Sequence, residues 1–349
     1  MYAKEFDSQS IEAFHHFMGE ARIIVLASHM NADGDACGSV LGMARMLDHA
    51  VPAGTRIVPM LPNGCPNNFT WMPGSDRIMN GDTEPERCAE VIAKADLIIG
   101  MDISSLSRTD HLQEALEQAK CRKVLIDHHR NPAIEQFDVV FSDYTISSTC
   151  ELVLWLSQAL WGGKYMDRET ATCLYTGLRT DTGGFAFSCD QPSCFEAASV
   201  LVGYDIQPAE IHNRIVNTFT CNRMQFYGYA LSQRLQIYKE KKVALFAFSL
   251  EDQKQFGVGG EDMEGLVNYT LMMKDIELGA LLREEAGRTK VSLRAKYDID
   301  VNQLAQQLGG GGHKKASGAT CYMPFDDTLQ AVCKLLNIEN EQPYQCATA

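Results

Sequence analysis

The chain has 349 residues, 45% hydrophobic and 22% charged, the composition of an ordinary globular protein of two domains on a prior of ~150 residues per domain. Its 31 Lys and Arg stand against 45 Asp and Glu, a net charge of −14, which argues against a protein that tracks long duplex DNA on a basic stripe and permits a small anionic substrate whose charge is met by metal ions. No run of ~18 uncharged apolar residues suits a membrane span, the polar start MYAKEFDSQS has no apolar signal centre, and the 12 cysteines form no C-x-x-C pair, so the expectation is a cytoplasmic protein with free thiols, no membrane partner and no structural zinc.

Taken in order, ARIIVLASH (21–29) reads as a strand and ACGSVLGMARMLDHA (36–50) carries apolar groups at helical spacing. TRIVPML (55–61) is a strand, PERCAEVIAKA (85–95) a helix, DLIIGMD (96–102) a strand, EALEQA (114–119) helical and 123–126 a strand. Strands alternating with helices, each strand almost continuously apolar, predict βαβ units and a mostly parallel sheet flanked by helices and buried on both faces. Helices then dominate from about 148 to 234: STCELVLWLSQAL, DRETATCLYTGLRTD, SCFEAASVLV, PAEIHNRIV and RMQFYGYALSQRL. From about 236 the order of elements changes. A hairpin turns at KEKK, MEGLVNYTLMM is helical, two strands in IELGALLREEAGRTKVSLRAKY join at Gly287, and DVNQLAQQL and TLQAVCKLLNI are helices before a loosely ordered tail, ENEQPYQCATA. The expected architecture is α/β, with one domain over 1–215 and a smaller α/β domain over 216–349, the boundary falling within 204–235.

The predicted strand ends carry the chemistry. His29 closes the first strand, with Asp33 and Asp35 in the loop that enters the next helix; Asp102 closes another; Asp127, His128 and His129 close a third. Ligands gather beyond the carboxyl ends of strands in open α/β sheets. Singly each residue has a structural reading: Asp35 as the cap of the helix at 36–50, Asp102 as a turn residue. Together, four carboxylates and three imidazoles at neighbouring strand ends would repel unless divalent cations stood among them. Mixed imidazole and carboxylate ligands suit manganese, iron or zinc, whereas magnesium and calcium prefer oxygen. So many carboxylates could hold two ions, a device for phosphoryl transfer. Asp181, in GLRTDTGGF, reads from pattern alone as a helix-end or turn residue.

QLGGGGHKKASGA (307–319) is neither a dinucleotide-binding fingerprint nor a Walker sequence. It reads either as a slack loop or as a backbone cradle for an anion, with His313, Lys314 and Lys315 adding charge. Arg294, on a strand shortly before, is either a surface charge or a bidentate phosphate partner.

NADGDACGS, the MD at 101–102, the DHH at 127–129, SSTCELV and TDTGGF, followed by GGGGHKKASG in a second domain, resemble the DHH phosphoesterase family over nearly the whole chain, the second unit resembling its DHH-associated domain. The compact length is similar to the nanoRNase (oligoribonuclease/pAp phosphatase) subfamily rather than to the longer RecJ nucleases. The resemblance implies a hydrolase with two Mn²⁺ ions, or Mg²⁺ or other divalent ions, in a cleft between the domains. His29, Asp33 and Asp102 would bind one ion; Asp35, Asp102, His128 and Asp181 the other. Asp127 would orient a neighbour, His129 would face the substrate phosphate, and Arg294 with Gly310, Gly311, Gly312 and His313 would hold the substrate. Two departures stand out: Ala32 where members often carry proline, and Ala186 after the DTG-F turn where a polar group is common.

The expected activity is hydrolysis of phosphodiester bonds in short oligonucleotides to mononucleotides, with short single-stranded RNA or another small nucleotide as partner; a homodimer is left open. The alternatives are a pAp phosphatase, a cyclic- or linear-dinucleotide phosphodiesterase, a pyrophosphatase of this family type, and, from another class, a nucleotide-binding sensor without catalysis.

Overall fold

The computed structural model describes residues 4–312 and 314–344. His313 and residues 345–349, the end of the predicted tail, lie outside the described residues. Two compact units are present, divided between Thr218 and Phe219.

The first unit is built on six parallel strands: β1 (Ile23–Ala27), β2 (Arg56–Leu61), β3 (Met79–Asn80), β4 (Leu97–Met101), β5 (Arg122–Asp127) and β6 (Val139–Ser142), in the order β3-β2-β1-β4-β5-β6. The apolar residues of β1 alternate between two cores. Ile24 and Leu26 face the helices Gly34–Ala50, Thr149–Trp161 and Arg168–Asp181, while Val25 and Ala27 face Val91, Leu106 and Leu116 on the other side. Both faces are covered, which is why these strands read as unbroken hydrophobic runs. The strand order reverses between β1 and β4, so the connections leaving those two strands go to opposite faces and open a crevice beyond their carboxyl ends. His29 and Asp102 follow directly on that crevice.

Two helices of the first core meet unusually closely. Gly34, Gly38 and Gly42 recur every four residues along one face of the Gly34–Ala50 helix. A Cβ at these positions would stand 2.3 Å from Thr180 Oγ1, 2.5 Å from the Cys173 carbonyl oxygen and 2.6 Å from Leu174 Cδ2. The helix Arg168–Asp181 runs antiparallel against this groove, so its last residue, Asp181, arrives beside the first turn of its partner.

The second unit holds a mixed sheet of β7 (Gln236–Tyr238), β8 (Val243–Phe248), β9 (Leu278–Glu285), β10 (Arg288–Ala295), β11 (Gly311–Gly312) and β12 (Ala316–Cys321), ordered β11-β12-β10-β9-β8-β7. The hairpins at KEKK and at Gly287 (φ +77) are antiparallel, while β8 and β9 pair in parallel. The predicted helix in MEGLVNYTLMM is reduced to a 3-10 turn at Glu261–Met263 and one turn at Asn268–Leu271. Among the described residues, no helix is long and apolar enough to cross a membrane.

Candidate metal centre

The loop after β1 sets the first ligands. Asp33 is the N-cap of the Gly34–Ala50 helix: its Oδ1 accepts from the backbone N–H of Asp35 at 2.9 Å and of Ala36 at 3.0 Å. The sequence pattern suggests Asp35 for that structural duty. Instead the helix begins two residues earlier, and Asp35 lies in its first turn with its side chain turned inward. There the N-terminus of the Thr149–Trp161 helix holds both carboxylate oxygens, Thr149 N–H donating to Oδ2 at 2.7 Å and Cys150 N–H to Oδ1 at 2.9 Å. Gly177 makes this approach possible, since a Cβ there would lie 2.2 Å from Cys150 Sγ and 2.9 Å from Asp35 Cα.

Asp102 stands at the end of β4 in the left-handed region, φ +56, which few residues other than glycine, asparagine and aspartate adopt. Its N–H still bonds the Ile126 carbonyl at 3.0 Å, so the twist turns the side chain without releasing the sheet. Thr149 Oγ1 donates to Asp102 Oδ1 at 3.0 Å. Around this buried carboxylate stand His29 Nε2 at 3.4 Å, His128 Nε2 at 3.6 Å and His129 Nδ1 at 3.6 Å. His128 Nε2 is also 3.5 Å from Asp181 Oδ2 and 3.9 Å from Asp35 Oδ2.

The structure thus brings His29, Asp33 and Asp102 into one group and Asp35, His128 and Asp181 into a second, with Asp102 also grouped with His128 and His129; the ligand atoms within each group lie within 4.8 Å of one another. Asp181, a helix-end residue by pattern, reaches the cluster through the glycine groove.

The donor set fits divalent cations. His29 donates Nδ1–H to the Met30 carbonyl at 2.9 Å, which leaves the Nε2 lone pair aimed at the cluster. A lone pair facing a carboxylate oxygen at 3.4 Å needs a proton or a cation between them. Two ligands bound at ~2.1 Å to one cation stand about 3.0–3.5 Å apart, close to the imidazole–carboxylate separations here. Electrostatics agree. Burial, then the charges of Asp102, Asp181 and Asp33, push the Asp35 carboxyl well above its usual range. Burial and the Asp102 and Asp33 charges outweigh His128 and push Asp181 up to about 7. Asp102 goes the other way, to about 2: burial raises it, but His29, His128 and His129 prevail. The site is short of positive charge, and cations would supply it.

Asp127 and His129 form a separate pair. His129 Nδ1 meets Asp127 Oδ1 at 2.7 Å, and the other Asp127 oxygen is buried without a hydrogen-bond partner among the described residues. His129 Nε2 lies 3.1 Å from Arg108 Nη1, a residue that sequence reasoning passes over. Burial and Arg108 lower the proton affinity of the imidazole, but the Asp127 hydrogen bond and the Asp102 and Asp127 charges outweigh them and raise it above the usual histidine value. A guanidinium only donates, so the contact is a hydrogen bond when Nε2 carries its lone pair. The sequence signal for Arg108 is a lone cation in SSLSRTDH, just past the ligand-bearing end of β4.

In the second unit, Arg294 is half-buried on β10 opposite Ala316, donates Nη1–H to the Leu293 carbonyl at 3.0 Å, and has its pKa lowered by burial. No described carboxylate forms an ion pair with it. The glycine run is more ordered than a slack loop. Gly309 (φ +75) and Gly310 end the Val301–Gln307 helix with bonds to Gln306 and Ala305, and Gly311 and Gly312 pair with Gly318 and Ser317. A Cβ on Gly310 would meet the Gly318 carbonyl oxygen at 2.1 Å, whereas one on Gly311 has its nearest neighbour at 3.7 Å. The fold therefore demands glycine at 310 and leaves Gly311 free of that demand.

Residues 23–178 match the DHH family, N-terminal domain, and residues 239–338 match the DHHA1 domain. The chain is 27% identical over 299 residues to the bifunctional oligoribonuclease and PAP phosphatase NrnA of Thermus thermophilus, covering 85% of this chain and 83% of that one. It is 26% identical over 319 residues to the NrnA of Bacillus subtilis, covering 89% and 95%. Its structure superposes on an exopolyphosphatase-related protein from Bacteroides fragilis with a TM-score of 0.92 and 32% identity, covering 96% of this chain and 98% of the other.

Proposed function

This chain belongs to the DHH family of phosphoesterases, and on that premise we propose that it is a two-cation phosphodiesterase that cleaves short oligonucleotides to mononucleotides. The observation that carries the two-cation reading is the pair of ligand groups at the crevice, His29–Asp33–Asp102 and Asp35–His128–Asp181; Asp102 also groups with His128, so it would be the carboxylate to serve both ions. When bound, the ions supply Lewis acidity toward a phosphoryl group and lower the pKa of water. Imidazoles in both groups favour manganese over magnesium. Thr149 and Cys150 hold Asp35 and Asp102 in place, so the ligand geometry is set before any ion arrives. Asp127 fixes the His129 ring next to the reacting phosphate. Arg294 and the Gly310–Gly312 backbone, with His313, hold the rest of the substrate; that no carboxylate among the described residues pairs with Arg294 supports this.

The substrate reading draws on relatives described as oligoribonuclease and PAP phosphatase, and on a net charge of −14 that disfavours long polyanions. Dephosphorylation of pAp at the same centre is the second reading, favoured by the same bifunctional relatives. The described cysteines are all free, in keeping with a reducing cytoplasm as the place of action.

The test is a panel of RNA dinucleotides, pAp, a cyclic dinucleotide, pyrophosphate and polyphosphate, assayed with Mn²⁺ and with Mg²⁺. Dinucleotides and pAp should be turned over with manganese. Turnover of pyrophosphate or polyphosphate alone would reject the nucleotide reading, and no metal-dependent turnover of any ester would leave a binding protein.

A further inference from the structure

Arg108 carries a charge that no carboxylate among the described residues answers. It lies half-buried in the 3-10 segment Leu106–Leu112 that follows β4, and its only side-chain partner among the described residues is His129 Nε2 at 3.1 Å. The backbone beneath it is pinned on several sides. The Arg108 carbonyl accepts from Met30 N–H at 2.9 Å, and its N–H donates to the Ser105 carbonyl at 3.1 Å. Leu106 N–H donates to Gln136 Oε1 at 2.9 Å and Thr109 Oγ1 to the Leu106 carbonyl at 2.6 Å. The segment therefore spans from the His29 loop to the end of β5 and holds the guanidinium at the rim of the ligand cluster.

The donors and acceptors run in one direction. The Asp127 carboxylate only accepts, so the 2.7 Å contact places the proton on His129 Nδ1. The guanidinium only donates, so Nε2 offers it a lone pair. In this arrangement His129 has no N–H left to give a phosphate. Arg108 has five N–H groups and uses one on His129.

We propose that Arg108, aimed by the Asp127–His129 pair, is the residue that grips the phosphoryl oxygens at the metal centre, and that His129 is its positioning residue. The proposal rests on the phosphoesterase reading above and changes the role of one residue in it: the phosphate contact expected of His129 passes to Arg108. A planar guanidinium matches two phosphoryl oxygens at once and keeps its charge at every working pH. It offers a fixed positive charge where negative charge grows during phosphoryl transfer. Holding the fork with an imidazole rather than a carboxylate orients it without cancelling its charge.

The test uses the metal-loaded protein and three readouts: metal content, binding of inorganic phosphate by calorimetry, and kcat/KM on an RNA dinucleotide. Arg108→Ala should keep its metal, weaken phosphate binding at least tenfold and lower kcat/KM about 10²–10³-fold, the usual loss for one preorganised donor. Arg108→Lys should recover part of the loss, and added guanidinium ion should partly rescue Arg108→Ala, an effect that a merely structural role would not show. The double variant Arg108→Ala/His129→Ala should be no worse than Arg108→Ala alone, because both act through one contact. Phosphate binding and turnover in Arg108→Ala close to the parent would overturn the proposal, and so would loss of metal from that variant. Additive losses in the double variant would remove His129 from its positioning role. If the parent hydrolyses none of the esters, the functional reading fails, and the phosphate titration alone still decides whether Arg108 is the grip.

Discussion

Gly177→Ala puts the helix groove to the test. One methyl group added to Gly177 would sit 2.2 Å from Cys150 Sγ and 2.9 Å from both Cα and Oδ1 of Asp35. Ordinary contact needs about 3.5 Å, so the helix Arg168–Asp181 must withdraw by about 1.3 Å or the Asp35 turn must yield. Overpacking of this kind costs about 1–3 kcal/mol, which at about 2–4 °C per kcal/mol for a unit of this size lowers Tm by roughly 2–12 °C. The larger effect falls on the cluster. Asp181 Oδ2 stands 3.5 Å from His128 Nε2, and a shift of about 1 Å breaks a bond that a cation must make at ~2.1 Å. Manganese binding at the Asp35–His128–Asp181 group should weaken at least tenfold and kcat/KM should fall about 10²-fold. Gly42→Ala is the control. It lies across the same groove on the partner helix Gly34–Ala50, further from the cluster, where the added methyl meets the movable end of Leu174, 2.6 Å off. It should cost stability and spare the metal. Calorimetric titration with Mn²⁺, thermal unfolding and steady-state turnover on the two variants decide the matter. A Gly177→Ala protein with the parent's metal affinity and activity would refute the idea that this groove sets the position of Asp181.

Replacement of the bridge, Asp102→Asn, should lower turnover by about three orders of magnitude or more while the circular dichroism spectrum stays that of the parent; near-normal manganese-dependent activity would exclude the shared carboxylate. The metal-free protein should lose stability as pH rises from about 4 to about 7, because Asp181 titrates at about 7 when folded against 3.8 for an ordinary aspartate, so the folded state binds more protons across that window. Asp35 shifts in the same direction, and Mn²⁺ should therefore raise Tm more at alkaline than at acidic pH; a metal effect independent of pH would contradict the charge assignment. Gly311→Ala should fold as the parent does and lose substrate affinity, whereas Gly310→Ala should lose stability, since its Cβ would fall 2.1 Å from the Gly318 carbonyl oxygen; thermal unfolding with KM on a dinucleotide separates the two. Across single strands from two to about thirty nucleotides at fixed salt, kcat/KM should fall with length; a rise would point to a processive nuclease.

How much of this is written in the sequence depends on the range of the interaction. The strands β1, β2, β4 and β5 are legible because burial on both faces leaves unbroken apolar runs such as IIVL and LIIGM. The ligands at their ends are legible for the same reason, since a polar residue that stops such a run must lie at the sheet's edge. Elements with weaker local marks escape: the helix Ser8–Glu20, whose buried side is only Phe14 and Met18, and the four-residue β6. The pattern points to Asp35 instead of Asp33 as the N-cap because cap and ligand use the same residue type, and only the backbone distinguishes them. What sequence order cannot decide is adjacency between distant segments. The strand order β2-β1-β4 juxtaposes His29 and Asp102, the glycine groove delivers Asp181, the Thr149–Trp161 helix N-terminus clasps Asp35, and the turn after β4 sets Arg108 against His129. Each of these is a packing contact between elements far apart in the chain. A local pattern records which face of an element is buried, and the shape of the whole core decides what that face meets.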